Sequence, residues 1–162
     1  VLGEDSTCAG WLMRGAGVPE GATVQELTSI VDLYPTLCTL CGFPAARDID
    51  GNLPAIFGGK ERDAVYSFSQ FPGQTYKLAV RTKTHAFRIE TQTPVEPDGT
   101  ADFSGAAYGI YPRGHELDAS SCLDAEELRA FFVPRARNFV REIANNGESF
   151  PPQDLRKQKV VK

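Results

Sequence analysis

The stretch that decides the fold of this chain is SIVDLYPTLCTLCG, which runs from Ser29 to Gly42. The apolar and β-branched residues of the preceding run, 24–31, predict a strand or an extended approach. Asp32 ends that run and is a good helix N-cap, because its carboxylate accepts a hydrogen bond from a free amide in the first turn. We therefore predict a strand-to-helix corner at Asp32, followed by a short helix from Leu33 to Cys41 that Gly42 ends.

On both sides of this corner the sequence predicts β structure. Upstream, GWLMRG (10–15) is a short apolar run bounded by glycine, which predicts a buried strand. Downstream, alternation with a period of two predicts three antiparallel strands, in the segments AVYSFSQF (64–71), YKLAVRT (76–82) and HAFRIET (85–91). The residues between the last two strands, Lys83 and Thr84, predict a hairpin turn. Residues 92–109 are rich in Pro, Gly and Asp and predict a loop.

The last part of the chain predicts a helix and a tail. Apolar residues recur at spacings of three and four within HELDASSCLDAEELRAFFVPRARNFVREIANNG (115–147), and Pro134 is expected to kink or split the helix. The segment FPPQDLRKQKVVK (150–162) has prolines and excess basic residues and predicts a tail without fixed structure.

Length and composition favour one globular domain with neither nucleic acid nor a membrane as its partner. The chain has 162 residues, of which 41% are hydrophobic, and this is enough to bury a core. Its net charge of −4 predicts no basic face of the kind that binds nucleic acid. No apolar run approaches the ~20 residues that span a bilayer, and the opening VLGEDSTCAG lacks the regions of a signal peptide. The opening without Met suggests a chain that begins within a longer protein, so the missing signal does not define a compartment.

The four cysteines predict neither a disulfide scaffold nor a metal site. Cys38 and Cys41 form a CTLC pair near the end of the predicted helix, whereas a redox pair normally lies at a helix N-terminus, where the dipole lowers the thiol pKa. A structural zinc site would need two more ligands, and His85 and His115 lack the paired spacing. We therefore expect Cys38 and Cys41 to be buried apolar residues.

Few residues carry recognisable chemistry. His115, beside Glu116 and near Asp118, is a candidate general acid or base, although a lone histidine near acids is more often a solvated or hydrogen-bonded loop residue. Arg81 and Lys83 are candidates to meet an anionic substrate, although exposed bases at strand ends are usually only solvated. The candidate substrate-binding residues are therefore His115 and Arg81, and the sequence predicts no catalytic residue and no metal ligand.

Several segments nevertheless resemble the C-terminal portion of the sulfatase family, and within it the iduronate-2-sulfatase branch. The segments that carry the resemblance are WLMRGAGVPEGATVQELTSIVDLYPTLCTLCGFP (11–44), DIDGNLPAIFGG (48–59), YSFSQFP (66–72) and KLAVRTKTHAFRIET (77–91). A later stretch, HELDASSCLDAEELRAF (115–131), resembles the family except that its usual tyrosine is missing, because Leu117 is followed directly by Asp118. The resemblance covers most of the chain from Gly10 to about Ala144.

The resemblance implies hydrolysis of sulfate esters on a sulfated glycan or uronic acid, in a lysosomal, secreted or periplasmic enzyme. Sulfatases use a formylglycine made from the cysteine of a Cys-x-Pro-Ser-Arg motif, together with a calcium ion bound by aspartates and an asparagine or histidine. No cysteine of this chain stands in such a motif, and the family's metal-binding pair would lie just before Val1. EDSTCAG follows VLG where the family has a sulfate-clamping lysine, which suggests a deletion. We therefore expect this chain alone to be inactive.

The expected fold is α/β to α+β and has three parts. These are a remnant of the large sulfatase α/β domain (1–60), a small antiparallel sheet packed on a C-terminal helix (61–150) and a basic, disordered tail (151–162). Two other functions stay open. One is a non-catalytic truncated pseudoenzyme or a structural subunit that packs on a catalytic partner. The other is a sugar-binding module, which would need Tyr66, Phe68 and Phe71 exposed over a concave sheet, whereas we expect these aromatic residues in the core.

Overall fold

The computed structural model describes residues 2–115 and 118–148. The chain divides into two compact units, one that ends at Ala125 and one that begins at Glu126. The predicted tail, 151–162, lies outside the described residues. The predicted boundary at residue 60 stays a prediction.

The described residues form an α+β arrangement of three α-helices, three 3-10 turns and one four-stranded sheet. The helices are α1 (Glu4–Thr7), α2 (Leu33–Cys41) and α3 (Glu126–Glu148). The strands are β1 (Val65–Ser69), β2 (Thr75–Arg81), β3 (His85–Pro94) and β4 (Ala107–Pro112). The 3-10 turns are Ile30–Asp32, Ala55–Phe57 and Ala119–Ser121. No described helix is long and apolar enough to cross a membrane.

The sheet is an antiparallel meander with the strand order β1-β2-β3-β4. The predicted hairpin between β2 and β3 is confirmed, since the amide of Thr82 donates to the carbonyl of His85 at 2.9 Å. The loop prediction for 92–109 was wrong at both ends of the segment, because β3 extends to Pro94 and β4 begins at Ala107. Residues 96–106, between the two strands, belong to no helix or strand. The alternating pattern of β4 is weak because Gly109 interrupts it. Packing against Tyr111 explains why a glycine stands at this position. A Cβ at Gly109 would lie 2.5 Å from the Tyr111 hydroxyl oxygen, so the Tyr111 ring occupies the space of a side chain.

The two faces of the sheet differ in chemistry, as alternate residues of a strand point to opposite sides. One face is apolar and buried at its centre, where Val80 pairs with Phe87 and Phe87 pairs with Ile110. The other face carries small and polar residues. On that face Arg81 pairs with Val65 on one side and Ala86 on the other. The polar face therefore presents a buried arginine at the end of β2.

The predictions for the first 31 residues were partly wrong. Residues 10–15 form no strand, and Trp11 and Leu12 are 37% and 98% exposed. Residues 24–29 are not part of a strand, and Ile30–Asp32 is a 3-10 turn. The physical reason is the absence of a partner in the described chain, because an isolated strand has no ladder to satisfy its backbone groups. The apolar composition of these two runs predicted strands, but it carried no information about which strands they could pair with, and the sheet of the described residues consists of β1 to β4.

Pro134 lies inside α3 and does not split it, as the helix runs without interruption from Glu126 to Glu148. A proline inside a helix has no amide to donate, and its ring crowds the carbonyls of the preceding turn. The Arg135 side chain adds a hydrogen bond in this turn, because its Nη1 donates to the carbonyl of Phe131 at 3.0 Å. The same guanidinium lies 3.6 Å from the centre of the Phe131 ring, a cation–π contact.

Candidate functional site: the Asp32 corner and the arginine cavity

Asp32 lies at the junction between the 3-10 turn Ile30–Asp32 and α2. It is buried, with 2% of its surface exposed, and its side chain is a carboxylate. Its Oδ2 accepts from the amide of Ser29 at 2.8 Å, and its Oδ1 accepts from the amide of Asn52 at 2.7 Å. The Arg62 guanidinium donates to both oxygens, with Nε at 2.9 Å from Oδ2 and 3.1 Å from Oδ1, and Nη2 also contacts Oδ1. We call these four residues the Asp32 corner.

The predicted N-cap role of Asp32 was therefore wrong in its hydrogen bonds. Asp32 does stand at the N-cap position of α2, but no first-turn amide of α2 donates to its side chain. The carboxylate instead turns back to Ser29 and across the chain to Asn52 and Arg62. The reason is charge, since a buried carboxylate is stabilised more by a guanidinium than by one more neutral amide.

The Asp32 corner connects segments that are far apart along the chain. Arg62 is 30 residues from Asp32, and its Nη2 also donates to the carbonyl of Asp50 at 2.8 Å. Arg62 lies three residues before Val65, the first residue of β1. The corner therefore fastens the loop 50–52 and the chain just before the sheet to α2.

The electrostatics of the corner favour the ionised aspartate. Burial by itself raises the pKa of the Asp32 carboxyl, but hydrogen bonds from Arg62, Ser29 and Asn52, and the positive charge of Arg62, outweigh it. The net effect holds that pKa below its ordinary value, so Asp32 is charged at neutral pH.

We expect the lowered pKa of Asp32 to make the protein less stable in acid. A carboxyl whose pKa is lower in the folded state contributes stability above its unfolded pKa of about 3.9, and that stability is lost as the pH falls through the folded pKa. Urea unfolding at neutral pH and at about pH 3 should therefore show a larger loss for the natural chain than for Asp32→Asn, which cannot titrate. Equal losses in the two proteins would contradict this assignment.

A second feature of the first unit is a cavity of about 570 Å³. Its walls come from residues 7–12 and from the segment between Glu26 and Leu33, together with the polar face of the sheet. Two arginines, Arg81 and Arg113, are part of the lining, and we call this space the arginine cavity. Its volume lies within the range of small-molecule sites, roughly 300–1,000 Å³.

Arg81, a predicted substrate-binding residue, is 2% exposed and not the solvated strand-end base that is usual at such positions. Its Nη2 donates to the carbonyl of Leu2, which brings the beginning of the described chain against the polar face of the sheet. Arg113 follows β4 directly, and its Nη2 lies 4.0 Å from the Cys8 sulfur. The amide of Arg113 donates to the carbonyl of Thr84 at 2.9 Å, which fixes this end of β4 to the β2–β3 hairpin.

His115, the other predicted substrate-binding residue, is exposed beyond the end of β4 and does not appear among the described residues that line the arginine cavity. Its amide donates to the carbonyl of Pro112 at 3.1 Å. Asp118 accepts from the side chain and amide of Ser120 and from the Ser121 hydroxyl, at 2.7–2.9 Å. These bonds, with a smaller contribution from the charge of His115, lower the pKa of the Asp118 carboxyl. Glu116 lies outside the described residues.

Lys83 and the two cysteines of the CTLC pair lie in surroundings that explain them without a ligand. Lys83 forms an ion pair with Glu61, with Nζ and Oε1 2.6 Å apart. Cys41 is exposed and Cys38 is half-buried, so the expectation of buried cysteines was wrong. The cause lies in α2, which buries only Pro35 and Thr36.

The expected core position of the three aromatic residues was also wrong in part. Phe68 and Phe71 are 43% and 64% exposed, whereas Tyr66 is half-buried. Within the described part of the chain, no group of three or more His, Cys, Asp or Glu residues is placed to hold a metal ion.

Sequence reasoning missed Arg62 and Arg113. A charged aspartate inside an apolar stretch needs a cation, and this could have prompted a search for its partner, but the sequence does not say which of 17 basic residues supplies it. Arg113 carried no comparable signal, because its place in the cavity depends on β4, which was itself missed.

Three comparisons of the chain with known proteins found no relative. No family model matches the chain, and neither the curated proteins nor the solved structures contain a significant match.

Proposed function

We propose that this chain is the C-terminal portion of a sulfatase of the iduronate-2-sulfatase type, in which it serves as scaffold rather than as the source of the nucleophile or the calcium ligands. The observation that carries the proposal is the Asp32 corner within the VDLYPT phrase. Ser29, Asn52 and Arg62 donate to the carboxylate at both oxygens. A carboxylate bound in this way is a structural tie, because its lone pairs already have donors within the chain.

The proposal assigns the chemistry to an N-terminal part of the enzyme. The parent reaction is hydrolysis of a sulfate ester on a sulfated glycan or uronic acid, with a formylglycine and a calcium ion. The described residues do not fit a calcium site, since they bring together no group of three or more carboxylate, imidazole or thiol side chains. No catalytic step is therefore assigned to this chain.

The direct test is the coding sequence upstream of Val1. The proposal expects a Cys-x-Pro-Ser-Arg motif and the family's paired metal ligands in the same reading frame. A reading frame that starts at or near Val1 would contradict the enzyme and favour a structural subunit.

We further expect the purified chain to hydrolyse no sulfate ester. A chromogenic aryl sulfate assayed with added calcium should give turnover equal to a buffer blank, while an intact sulfatase in the same assay gives a signal. The physical reason is the lack of a formylglycine motif in the sequence. Turnover that survives repurification and scales with the chain would contradict the proposal.

The alternative, a non-catalytic subunit that packs on a catalytic partner, has one observation in its favour. Large apolar side chains are exposed along the first 43 residues, among them Leu12 at 98%, Ile30 at 77% and Phe43 at 68%. Exposed apolar surface of this kind favours association. The upstream sequence distinguishes the two, because a covalently linked large domain would cover the same surface.

A further inference from the structure

We infer that a further cavity of the first unit binds a small neutral ring compound, one that is largely apolar and carries a carbonyl group. This cavity has a volume of about 410 Å³, and we call it the apolar cavity. It shares Trp11 and Leu12 with the wall of the arginine cavity. The inferred binding activity goes beyond the scaffold role proposed above and does not depend on the resemblance to sulfatases.

The walls of the apolar cavity come from two parts of the chain, residues 9–28 and residues 54–57. Hydrogen bonds hold these two parts together, because the carboxylate oxygens of Glu26 accept from the amides of Ala55 and Ile56 at 2.9 and 3.2 Å. The cavity is therefore already formed in the chain without a ligand, as is usual for small-molecule sites. Its volume also lies within the range of such sites, roughly 300–1,000 Å³.

Most of the lining is aliphatic or aromatic, and this sets the body of the ligand. Burial of a ring against such walls is favourable in proportion to the apolar area removed from water. A cavity of about 150 Å³ with a lining of this kind holds one benzene molecule, so the apolar cavity has room for two fused rings. The lining includes Trp11, Met13, Val18, Val24, Ile56 and Phe57.

The charge of the lining favours a neutral ligand. The described lining residues include no Lys, Arg or His, and their one carboxylate, that of Glu26, already accepts from two backbone amides. An anion would leave water without a cation to pair with, which is unfavourable. Thr23 and Thr28 bring hydroxyl groups to the same walls, and a hydroxyl group can donate to a carbonyl oxygen.

Two natural reporters make the inference testable in the intact chain. Trp11 and Met13 are the only tryptophan and the only methionine in the sequence, and both line the apolar cavity. Met13 is not among the described residues that line the arginine cavity, so its methyl signal in NMR spectra distinguishes the two spaces.

2-Acetylnaphthalene serves as the neutral probe, and 2-naphthoate is an anion of nearly equal shape. Titration with 2-acetylnaphthalene should shift the Met13 methyl and Trp11 indole N–H signals in a saturable way. We expect a dissociation constant below about 1 mM, which is typical of a ligand of this size. 2-Naphthoate should bind at least about tenfold more weakly, because its carboxylate meets no cation in the described lining.

Substitutions at two apolar residues of similar exposure locate the bound probe. Val24 lines the apolar cavity and is 43% exposed, whereas Leu37 lies on α2, outside the described lining, and is 46% exposed. Val24→Glu brings a charge into the wall and should weaken binding of 2-acetylnaphthalene at least about tenfold. Leu37→Glu is the matched control and should leave the affinity unchanged. Far-UV circular dichroism of each variant shows that it is folded.

Four results would overturn the inference. The first is no saturable shift of the Met13 methyl signal below about 1 mM 2-acetylnaphthalene. The second is equally tight binding of 2-naphthoate, which would show that the cavity does not select a neutral ligand. The third is an equal loss of affinity in Val24→Glu and Leu37→Glu, which would show adhesion to exposed apolar surface in general. The fourth is a dimer in sedimentation velocity that the probe dissociates, which would assign the cavity to a second copy of the chain. None of these results bears on the upstream sequence, so the proposed function is tested separately.

Discussion

Asp32→Ala is expected to lower the free energy of unfolding by about 3–5 kcal/mol, the usual cost of removing one member of a buried ion pair. The Asp32 side chain is 2% exposed and that of Arg62 is 16% exposed, so the guanidinium left behind would be mostly shielded from water. The amides of Ser29 and Asn52 would lose their acceptors as well. Since Arg62 keeps some access to solvent, a value near the lower end is expected.

The structure also changes what is expected of Asp32→Asn. A simple N-cap would tolerate asparagine, because the amide oxygen still accepts a hydrogen bond. In the Asp32 corner both carboxylate oxygens face donors, so the NH₂ group of asparagine would meet an N–H group. We therefore expect Asp32→Asn to cost nearly as much as Asp32→Ala.

Urea melts of the purified chain measure both changes, with Asp63→Ala as the control because Asp63 is an exposed neighbour of Arg62. The control should shift the free energy of unfolding by less than about 0.5 kcal/mol. If Asp32 were instead a metal ligand or a catalytic acid, both Asp32 variants would keep the natural unfolding midpoint, and the same changes would abolish activity in a full-length enzyme. That pattern would overturn the scaffold role.

Gly51→Ala is expected to cost about 2–3 kcal/mol, in the upper part of the range for overpacked sites. A Cβ at this position would lie 2.2 Å from the carbonyl oxygen of Val31 and 3.0 Å from the Cδ of Pro35. The obstacle is largely backbone, so a rotamer change cannot relieve it. The loop must move, and the next residue, Asn52, then withdraws its amide from Asp32.

Gly10→Ala is the matched control for Gly51→Ala. A Cβ at Gly10 meets nothing within 4 Å, and its backbone is not in the left-handed region. Its replacement should be neutral or slightly stabilising, because alanine reduces the freedom of the unfolded chain. Thermal melts of the two variants side by side check the difference. Equal melting temperatures would show that the 50–52 loop has more room than its contacts with α2 indicate.

The sequence predicted those parts of the fold that depend on local pattern. Strands β1 to β3 and their hairpin follow from alternation along the chain, and α2 follows from its helix signals and Gly42. β4 could not be predicted in this way, because Gly109 breaks the alternation. A side chain at this position would clash with the Tyr111 ring.

The candidate site depends on contacts between distant residues, and these were harder to predict. Asp32 was recognised as important, but its hydrogen bonds were assigned to the wrong partners because Arg62 is 30 residues away. Arg81 was chosen for its charge, and the structure places it in the wall of a cavity that no sequence pattern indicates. Residue type identified candidates, whereas only the fold showed which of them share a space.

The meander order of the sheet has a consequence for the order of events in folding. Each strand pairs with its neighbour in sequence, through connections of 5, 3 and 12 residues, so the contacts of the sheet are local compared with those to the beginning of the chain. Local contacts favour faster folding. The contact between Arg81 and the carbonyl of Leu2 joins residues 79 positions apart and requires a much longer loop to close. The sheet should therefore assemble first and the beginning of the chain should dock onto it afterwards. The arginine cavity, which lies partly beneath residues 7–12, would then be completed only in that last step.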